Sequence, residues 1–394
     1  MRARPLDGLR VLDFTIAQQG PHATTLLALM GAEVVRVERT GARVGGYPTR
    51  PRDHHMVGYF AHSLGKKSIT VDVRRPEGRD IVRRLAREVD AVTSNFRPGV
   101  MERLGLGFDD LRAENPRLVY VTGSGWGRQG PIAQRPSIDM VAQGAGGMMW
   151  MSGDEGSPPA LASCALADHT GALTFCTAVL AALVQAHRTG VGEHIDTSLY
   201  GGQSALQAWE INASSLSAGL PRSGRSHAIL HARGAIWRAF ETADGWLTIA
   251  AEDAETIGRL CEAIGRPDLA TLYSDAAARR SHADEIEEAV EQRIATESTA
   301  HWAGRLREHE IANGPVWTFG DVLADPHAHE NGYLGRIEHP DFGDVEVAGL
   351  PITFDREPIP PEPPPVTGAD TDRYLADIGY TPSEIAGLRE QGVI

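Results

Sequence analysis

Short apolar runs and longer mixed segments alternate through the first 200 residues. Five runs rich in Val and other β-formers, "RVLDFT", "AEVVRVE", "SITVDV", "DAVTSNF" and "RLVYVTG", read as strands. Between and after them, residues 22–30, 76–88, 99–105 and 169–187 carry helical spacing. Strand–helix alternation of this kind predicts an α/β fold with a Rossmann-like, doubly wound parallel sheet. The pattern breaks over residues 201–225, which are polar and rich in Gly, Ser, Arg and His, and these are expected to be a linker. A smaller α+β domain is expected over 226–330. It starts from a hairpin, "WRAFETADGWLTIA", with Asp244-Gly245 at its turn, and continues in amphipathic helices. Residues 331–394 return to the first domain, so that 1–200 is completed by 335–394. In this return, "REPIPPEPPPVTG" is an extended connector. A final helix is signalled by Thr381 as N-cap, Pro382, Glu384 closing a capping box, and Gly392 as its stop.

Charge and composition then narrow the function. The 394 residues carry a formal net charge of -14, so no basic field is present to neutralise a nucleic-acid backbone. A small anionic ligand needs only a local basic pocket and stays open. Lys66 and Lys67 are the only lysines, and both are expected at the surface or near a phosphate. Cys164, Cys176 and Cys261 have no metal or redox spacing and read as reduced core residues of a cytoplasmic protein. The start "MRARPLDGLRVLDFT" lacks an apolar h-region, so no signal peptide is expected. The most apolar segment, 171–186, is short for a bilayer and reads as a buried helix, with no membrane partner.

One motif meets its spacing but not its context, and others are absent. Glycines stand at 123, 125, 127 and 130, and the set 125, 127 and 130 has the spacing of a dinucleotide fingerprint, but the acid expected about 20 residues onward lacks a proper context. Walker A, HExxH and GxSxG patterns are absent. His327 and His329 in "DPHAHE", and the pair His54–His55, lack a second ligand pair at matching distance. They read as loop or helix-start residues, and no metal is expected.

One acid stands out. Asp168 sits between small and apolar residues in "LADHTGAL", directly ahead of the longest helical pattern. It reads as the N-cap of that helix. A helix start also keeps a partly buried carboxylate ionised, and an ionised carboxylate in a water-poor site is a usable nucleophile. Gly171 in the first turn costs roughly 1 kcal/mol of helix propensity, which a closely approaching ligand would explain.

At this residue the chain resembles the family III CoA-transferases, the group that contains formyl-CoA transferase and carnitine CoA-transferase. The resemblance runs nearly end to end. It rests on "PLDGLRVLDFT", "GAEVVRVER", "GKKSITVDVRRPEGRD", "NFRPGVMERLGLG", "NPRLVYVTGSGWGRQGP", "LADHTGAL", "RTGVGEHIDTSLY", "FETADGW", "NGPV" and "DIGYTPSEIAGLREQGVI", in that order. It implies that CoA moves from an acyl-CoA to a free carboxylic acid, with Asp168 forming anhydride and aspartyl-CoA thioester intermediates. It puts Gln18 of the first βα turn at the reaction centre, with Gln19 beside it as a CoA contact. It puts CoA contacts at Arg39, at Val71, Asp72, Val73 and Arg74, at Asn95, Phe96 and Arg97, and at Arg103. These lie where strands end, the edge at which open α/β sheets bind ligands. CoA and acyl-CoA enter as substrates, no permanently bound cofactor is implied, and the subunits are expected to interlock as a homodimer.

The tetraglycine run of the formyl-CoA branch is missing from "SGRSHAILHARGAIWRAF", so its lid does not carry over, and oxalate and formate are not expected substrates. An α-methylacyl-CoA racemase is the nearest rival. Its chemistry needs a His directly before an Asp, and Ile138-Asp139 stands there. A non-catalytic CoA-binding subunit is the rival from another class, and the intact Asp168 speaks against it.

Overall fold

The computed structural model describes residues 3–41, 54–153, 156–217, 219, 220, 222, 226–270, 275–339 and 343–394. Six parallel strands form the central sheet: β1 (Arg10–Asp13), β2 (Glu33–Glu38), β3 (Lys67–Thr70), β4 (Ala91–Ser94), β5 (Val119–Ser124) and β6 (His194–Ser198). Their order is β3-β2-β1-β4-β5-β6, the two-halved Rossmann order, and it reverses between β1 and β4. Successive side chains on a strand face opposite ways. Val11, Val34, Ala91, Val119 and Val121 therefore join one core, while Leu12, Val35, Ile69, Val92 and Tyr120 join the other. Burial on both faces explains why these strands read as unbroken apolar runs.

Helices cover the two faces. In chain order the helices up to residue 216 are α1 (Gln19–Leu29), α2 (His54–Ser63), α3 (Pro76–Ala86), α4 (Val100–Arg103), α5 (Phe108–Arg112), α6 (Asp139–Ala145), α7 (Met148–Met151), α8 (Leu166–Thr189), α9 (Leu199–Leu206) and α10 (Ala208–Leu216), of which α7 and α10 belong to a second unit. α1 and α8 pack together on the first core. α8 buries the stripe Gly171, Ala172, Phe175, Cys176, Val179, Ala182 and Ala186. At 24 residues it is long and apolar enough to cross a membrane, longer than the 171–186 segment read from sequence. On the second core, α3 meets Tyr374, Leu375 and Ile385 from the C-terminal helices Thr371–Asp377 and Pro382–Glu390, and Val393 beyond them. The last helix has its capping box: Thr381 and Glu384 exchange hydrogen bonds, and Gly392 lies in the left-handed region at φ 70°.

The chain divides into two compact units. One holds residues 1–143, 164–206 and 325–394; the other holds 144–163 and 207–324. In the smaller unit, β7 (Ile236–Glu241), β8 (Trp246–Ala251) and β9 (Ala312–Pro315) form an antiparallel sheet. Its core includes Ile257 and Leu260 of the helix Ala254–Ala263, Ile286 and Val290 of Ala283–Ile294, and Trp302 and Leu306 of Thr299–Glu308. At the β7–β8 turn, Asp244 accepts from the backbone and hydroxyl of Thr299, tying the hairpin to that helix.

Three expectations are corrected. Residues 201–216 are helical rather than linker, because Gly202 lets α9 lie against α8, where its Cβ would come within 3.0 Å of the Gly171 nitrogen. Lys66 is not at the surface: it is 2% exposed and ion-paired. Cys164 is exposed, while Cys176 and Cys261 are buried. As the loop or helix-start reading expected, "DPHAHE" opens the short helix Pro326–Glu330, and the Asp325 carboxylate caps it by accepting from the backbone of His327 and Ala328. The side chains of His54 and His55 lie outside the described residues.

Candidate active site

The turn after β1 is set by a buried charge. Asp13 ends the strand fully buried and accepts from Thr15, Thr24 and Thr93 hydroxyls and from Lys66 Nζ at 3.2 Å. Lys66 also donates to the Pro21 carbonyl and Thr24. Burial pushes the Asp13 carboxyl up, but Lys66 and the Thr15 and Thr24 hydrogen bonds outweigh it and hold the carboxyl below its ordinary value. Desolvation pulls the Lys66 ammonium down to about 8, against the opposing pull of Asp13. Two residues beyond Thr15, Ala17 takes a left-handed conformation, φ 61°. This strained state is held by Asn95, whose side chain accepts from the Ile16 N–H at 2.7 Å and donates to the Ile16 carbonyl at 2.8 Å. Asn95 thus clasps β4 to the turn at the switch point of the sheet.

The clasp delivers Gln18 and Gln19 to the edge. Gln18 is the N-cap of α1 and half-buried, and Gln19 begins the helix and is buried. Gln19 lies between two glycines. A Cβ on Gly123 would meet its Oε1 at 2.7 Å, and one on Gly171 would meet its Nε2 at 3.0 Å. Gln18 Oε1 and Gln19 Nε2 have no hydrogen-bond partner among the described residues. Gly171 is therefore explained by the Gln19 and Leu199 side chains that fill its surface, with no ligand needed.

Asp168 is not the N-cap. Ala165 takes that position, and Asp168 is the third residue of α8. The cap comes from elsewhere: Asp139, opening α6, accepts the Ala167 N–H at 2.7 Å and the Asp168 N–H at 3.1 Å through one oxygen, and Gln143 Nε2 through the other. The Asp168 carboxylate has no hydrogen bond among the described residues. Burial, then the Asp139 charge, pushes it up to about 6. Asp139→Ala is expected to lower the stability of the large unit by about 1 kcal/mol. Asp139→Asn, whose carboxamide oxygen also accepts from the helix, is expected to keep most of it; urea denaturation of both variants checks this.

Beside Asp168, His169 meets His22 and His62. Burial pulls all three imidazoles down, His22 to about 4 and His62 to about 3, so the cluster is neutral at pH 7. Among the described residues this is the group of side chains able to hold a metal ion, and it was not visible in the sequence.

The remaining expected contacts surround the same edge. Asp72 and Arg74 pair with each other in two hydrogen bonds of 2.8 and 2.7 Å, flanked by Val71 and Val73. Arg74, and more weakly Arg39, hold the Asp72 carboxyl down at about 2. Arg39, Arg74, Arg97 and Arg103 are exposed. Phe96 packs on the second core, while Arg97, Gly123, Ser124 and Arg128 line a cleft beyond β4 and β5 that Phe96 shares. Gln19 packs against Gly171, three residues beyond Asp168 on α8.

Comparison with known proteins supplies the identity. Residues 6–371 match CoA-transferase family III. The chain belongs to this family. The human succinyl-CoA:glutarate CoA-transferase is 30% identical over 99% of this chain and 90% of its own length. Succinyl-CoA:mesaconate CoA-transferase of Haloarcula hispanica is 34% identical over 88% of this chain and 89% of its own. A crystal structure of a CaiB/BaiF family protein from Brucella suis superposes with a TM-score of 0.81 at 28% identity, over 96% of this chain and 100% of that one. The protein is a family III CoA-transferase, an enzyme that exchanges CoA between an acyl-CoA and a carboxylic acid.

In this transferase Asp139, the residue after Ile138, has both oxygens engaged, one by the first turn of α8 and the other by Gln143 of its own helix. The tight fit at Gly171 gives a second test. Gly171→Ala gains about 1 kcal/mol of helix propensity but must displace Gln19, which Gly123 boxes in, at about 1–3 kcal/mol. The expected outcome is a net loss of up to ~2 kcal/mol together with reduced transferase activity, read by thermal unfolding and initial rates.

Proposed function

We propose that this transferase works through covalent catalysis by Asp168, with succinyl-CoA as donor and a dicarboxylic acid as acceptor. The observation that carries the mechanism is a carboxylate half-buried at a helix start, unbonded and raised to about 6, so that it is ionised at neutral pH yet poorly solvated. Its oxygen attacks the donor thioester carbonyl and expels CoA thiolate, leaving a mixed anhydride. The thiolate attacks the Asp168 carbonyl carbon, releasing the donor acid and leaving an aspartyl-CoA thioester. The acceptor carboxylate displaces the thiolate to form a second anhydride. The thiolate then attacks the acceptor carbonyl, giving product acyl-CoA and regenerating Asp168. Each tetrahedral intermediate carries an oxyanion, and the partnerless Gln19 Nε2 is a donor suited to it, with Gln18 alongside. Arg39, Arg74, Arg97 and Arg103 are the proposed phosphate partners of CoA.

The substrate pair rests on the names of the relatives, whose acceptors are dicarboxylates. A homodimer belongs to the same reading; the exposed Leu173, Val184 and Leu206 on α8 and α9 support it. The test is incubation with succinyl-CoA, trapping by hydroxylamine and peptide mass spectrometry. A hydroxamate at Asp168 is expected. Full exchange with glutarate or mesaconate and no adduct at Asp168 would overturn the mechanism; an adduct without dicarboxylate turnover would overturn the acceptor class.

A further inference from the structure

Three imidazoles unused by the transfer chemistry converge in the large unit. His22 on α1, His62 at the end of α2 and His169 in the first turn of α8 each bring a ring nitrogen within 4.8 Å of the others. The ring centroids stand 4.8 Å apart for His22–His169, 5.5 Å for His22–His62 and 5.9 Å for His62–His169, with the rings steeply inclined. These spacings fit a shared ion. Zinc bonded at roughly 2.0–2.1 Å to an imidazole nitrogen lies about 3.2 Å from that ring's centroid, so two imidazoles at a tetrahedral angle have centroids about 5.2 Å apart. The observed values bracket that separation.

Packing alone leaves the cluster unexplained. Nδ1 of His22 and Nδ1 of His62 are buried and have no hydrogen-bond partner among the described residues, an arrangement that is unfavourable unless something accepts or binds them. The nearby cation, Lys66, is already matched by Asp13 at 3.2 Å. His62 also sits where α2 departs from helical geometry, φ -124° and ψ 17°, which turns this residue out of the helix's regular path.

We propose that His22, His62 and His169 form a three-imidazole site for a borderline divalent transition metal, with Zn2+ as the reference ion and the fourth coordination position open. Imidazole selects this class over the hard cations Mg2+ and Ca2+, which prefer oxygen. The bound ion ties α1 and α2 to the first turn of α8, the turn that carries Asp168. Its role is that of a clamp, and it requires no change in the transfer chemistry.

The full chain, stripped with a chelator, is titrated with Zn2+ by calorimetry and with Co2+ by visible absorption. One equivalent of Zn2+ is expected, with a tetrahedral Co2+ spectrum that Zn2+ displaces and a thermal midpoint that rises with Zn2+ but not with Mg2+. His22→Gln and His62→Gln are each expected to weaken Zn2+ binding at least about tenfold, since losing even the outer support of a ligand costs 10–100-fold. His327→Gln, on the exposed helix Pro326–Glu330, is expected to leave binding unchanged. Absence of saturable uptake, an octahedral Co2+ spectrum, or equal affinity in both single variants and the wild type would each overturn the site. If circular dichroism shows one variant unfolded, the other variant and the wild-type Co2+ spectrum decide.

Discussion

Asp168→Asn is expected to abolish CoA exchange while leaving the fold intact. The carboxylate takes no part in holding α8: the helix start is bonded to Asp139, and nothing among the described residues donates to Asp168. Asn is nearly the same size and adds no volume. It lacks the anionic oxygen, so no anhydride forms and no thioester follows. Losing a covalent nucleophile lowers turnover by about 10⁴-fold or more in well-studied hydrolases, and a loss of that order is expected in succinyl-CoA:dicarboxylate exchange. Circular dichroism and acyl-CoA binding serve as controls, since both are expected to persist. Asp168→Glu sharpens the result. It restores the charge but extends the side chain by one methylene, and a reacting group misplaced by about 1 Å costs on the order of 10²-fold. Activity in the Asn variant at the wild-type level would remove Asp168 from the mechanism. Solvent exchange of the substrate α-proton without CoA transfer would point back to racemase chemistry.

The strands of the large unit were legible because burial on both faces leaves a continuous apolar signature. β6 escaped that test. Its residues "HIDTS" are only half-buried at the sheet edge, so they carry no apolar run. α9 and α10 escaped for the opposite reason: their Gly and Ser content reads as linker, yet Gly202 permits the close approach to α8 that makes the helix favourable. At the candidate site, the turn "TIAQQGP" and Asp168 were legible because each lies inside one local pattern. Asp139 was not, because the cap it supplies acts on a helix almost thirty residues later. The three histidines come from three separate helices, and no local spacing links them. Asn95 was singled out as a CoA contact, while the structure engages both its polar side-chain atoms with Ile16. What sequence patterns miss here is every interaction made by side chains brought together only by the fold.

Lys66 is the clearest case, and it leads to the second large effect. Lysine is among the residues least often fully buried, so "GKKS" reads as surface. The signal for its burial lies in β1, where Asp13 follows the apolar pair Val11-Leu12 of a strand buried on both faces and therefore needs a partner inside the protein. Asp13→Asn keeps an acceptor for Thr15 and Thr93 but puts an amide NH2 where Thr24 and Lys66 donate, and leaves the Lys66 ammonium buried without a counter-charge. Breaking one side of a buried pair typically costs about 3–5 kcal/mol. The large unit is expected to unfold at a thermal midpoint lower by on the order of 10 °C. Adding Lys66→Met removes the orphaned charge, and the double variant is expected to recover part of the loss, which separates the electrostatic cost from altered packing. The pH dependence has a definite sign. The folded Asp13 carboxyl is held below its ordinary value of 3.8, so the folded chain binds its proton less readily than the unfolded chain. The stabilisation from this carboxylate is complete above the ordinary carboxylate range and is lost as pH falls below it. Wild-type protein should therefore lose stability on acidification more steeply than Asp13→Asn, and the gap between the two should close towards low pH. Because the same carboxylate positions the turn that presents Gln18 and Gln19, the variant should also lose transferase activity at temperatures well below its unfolding midpoint.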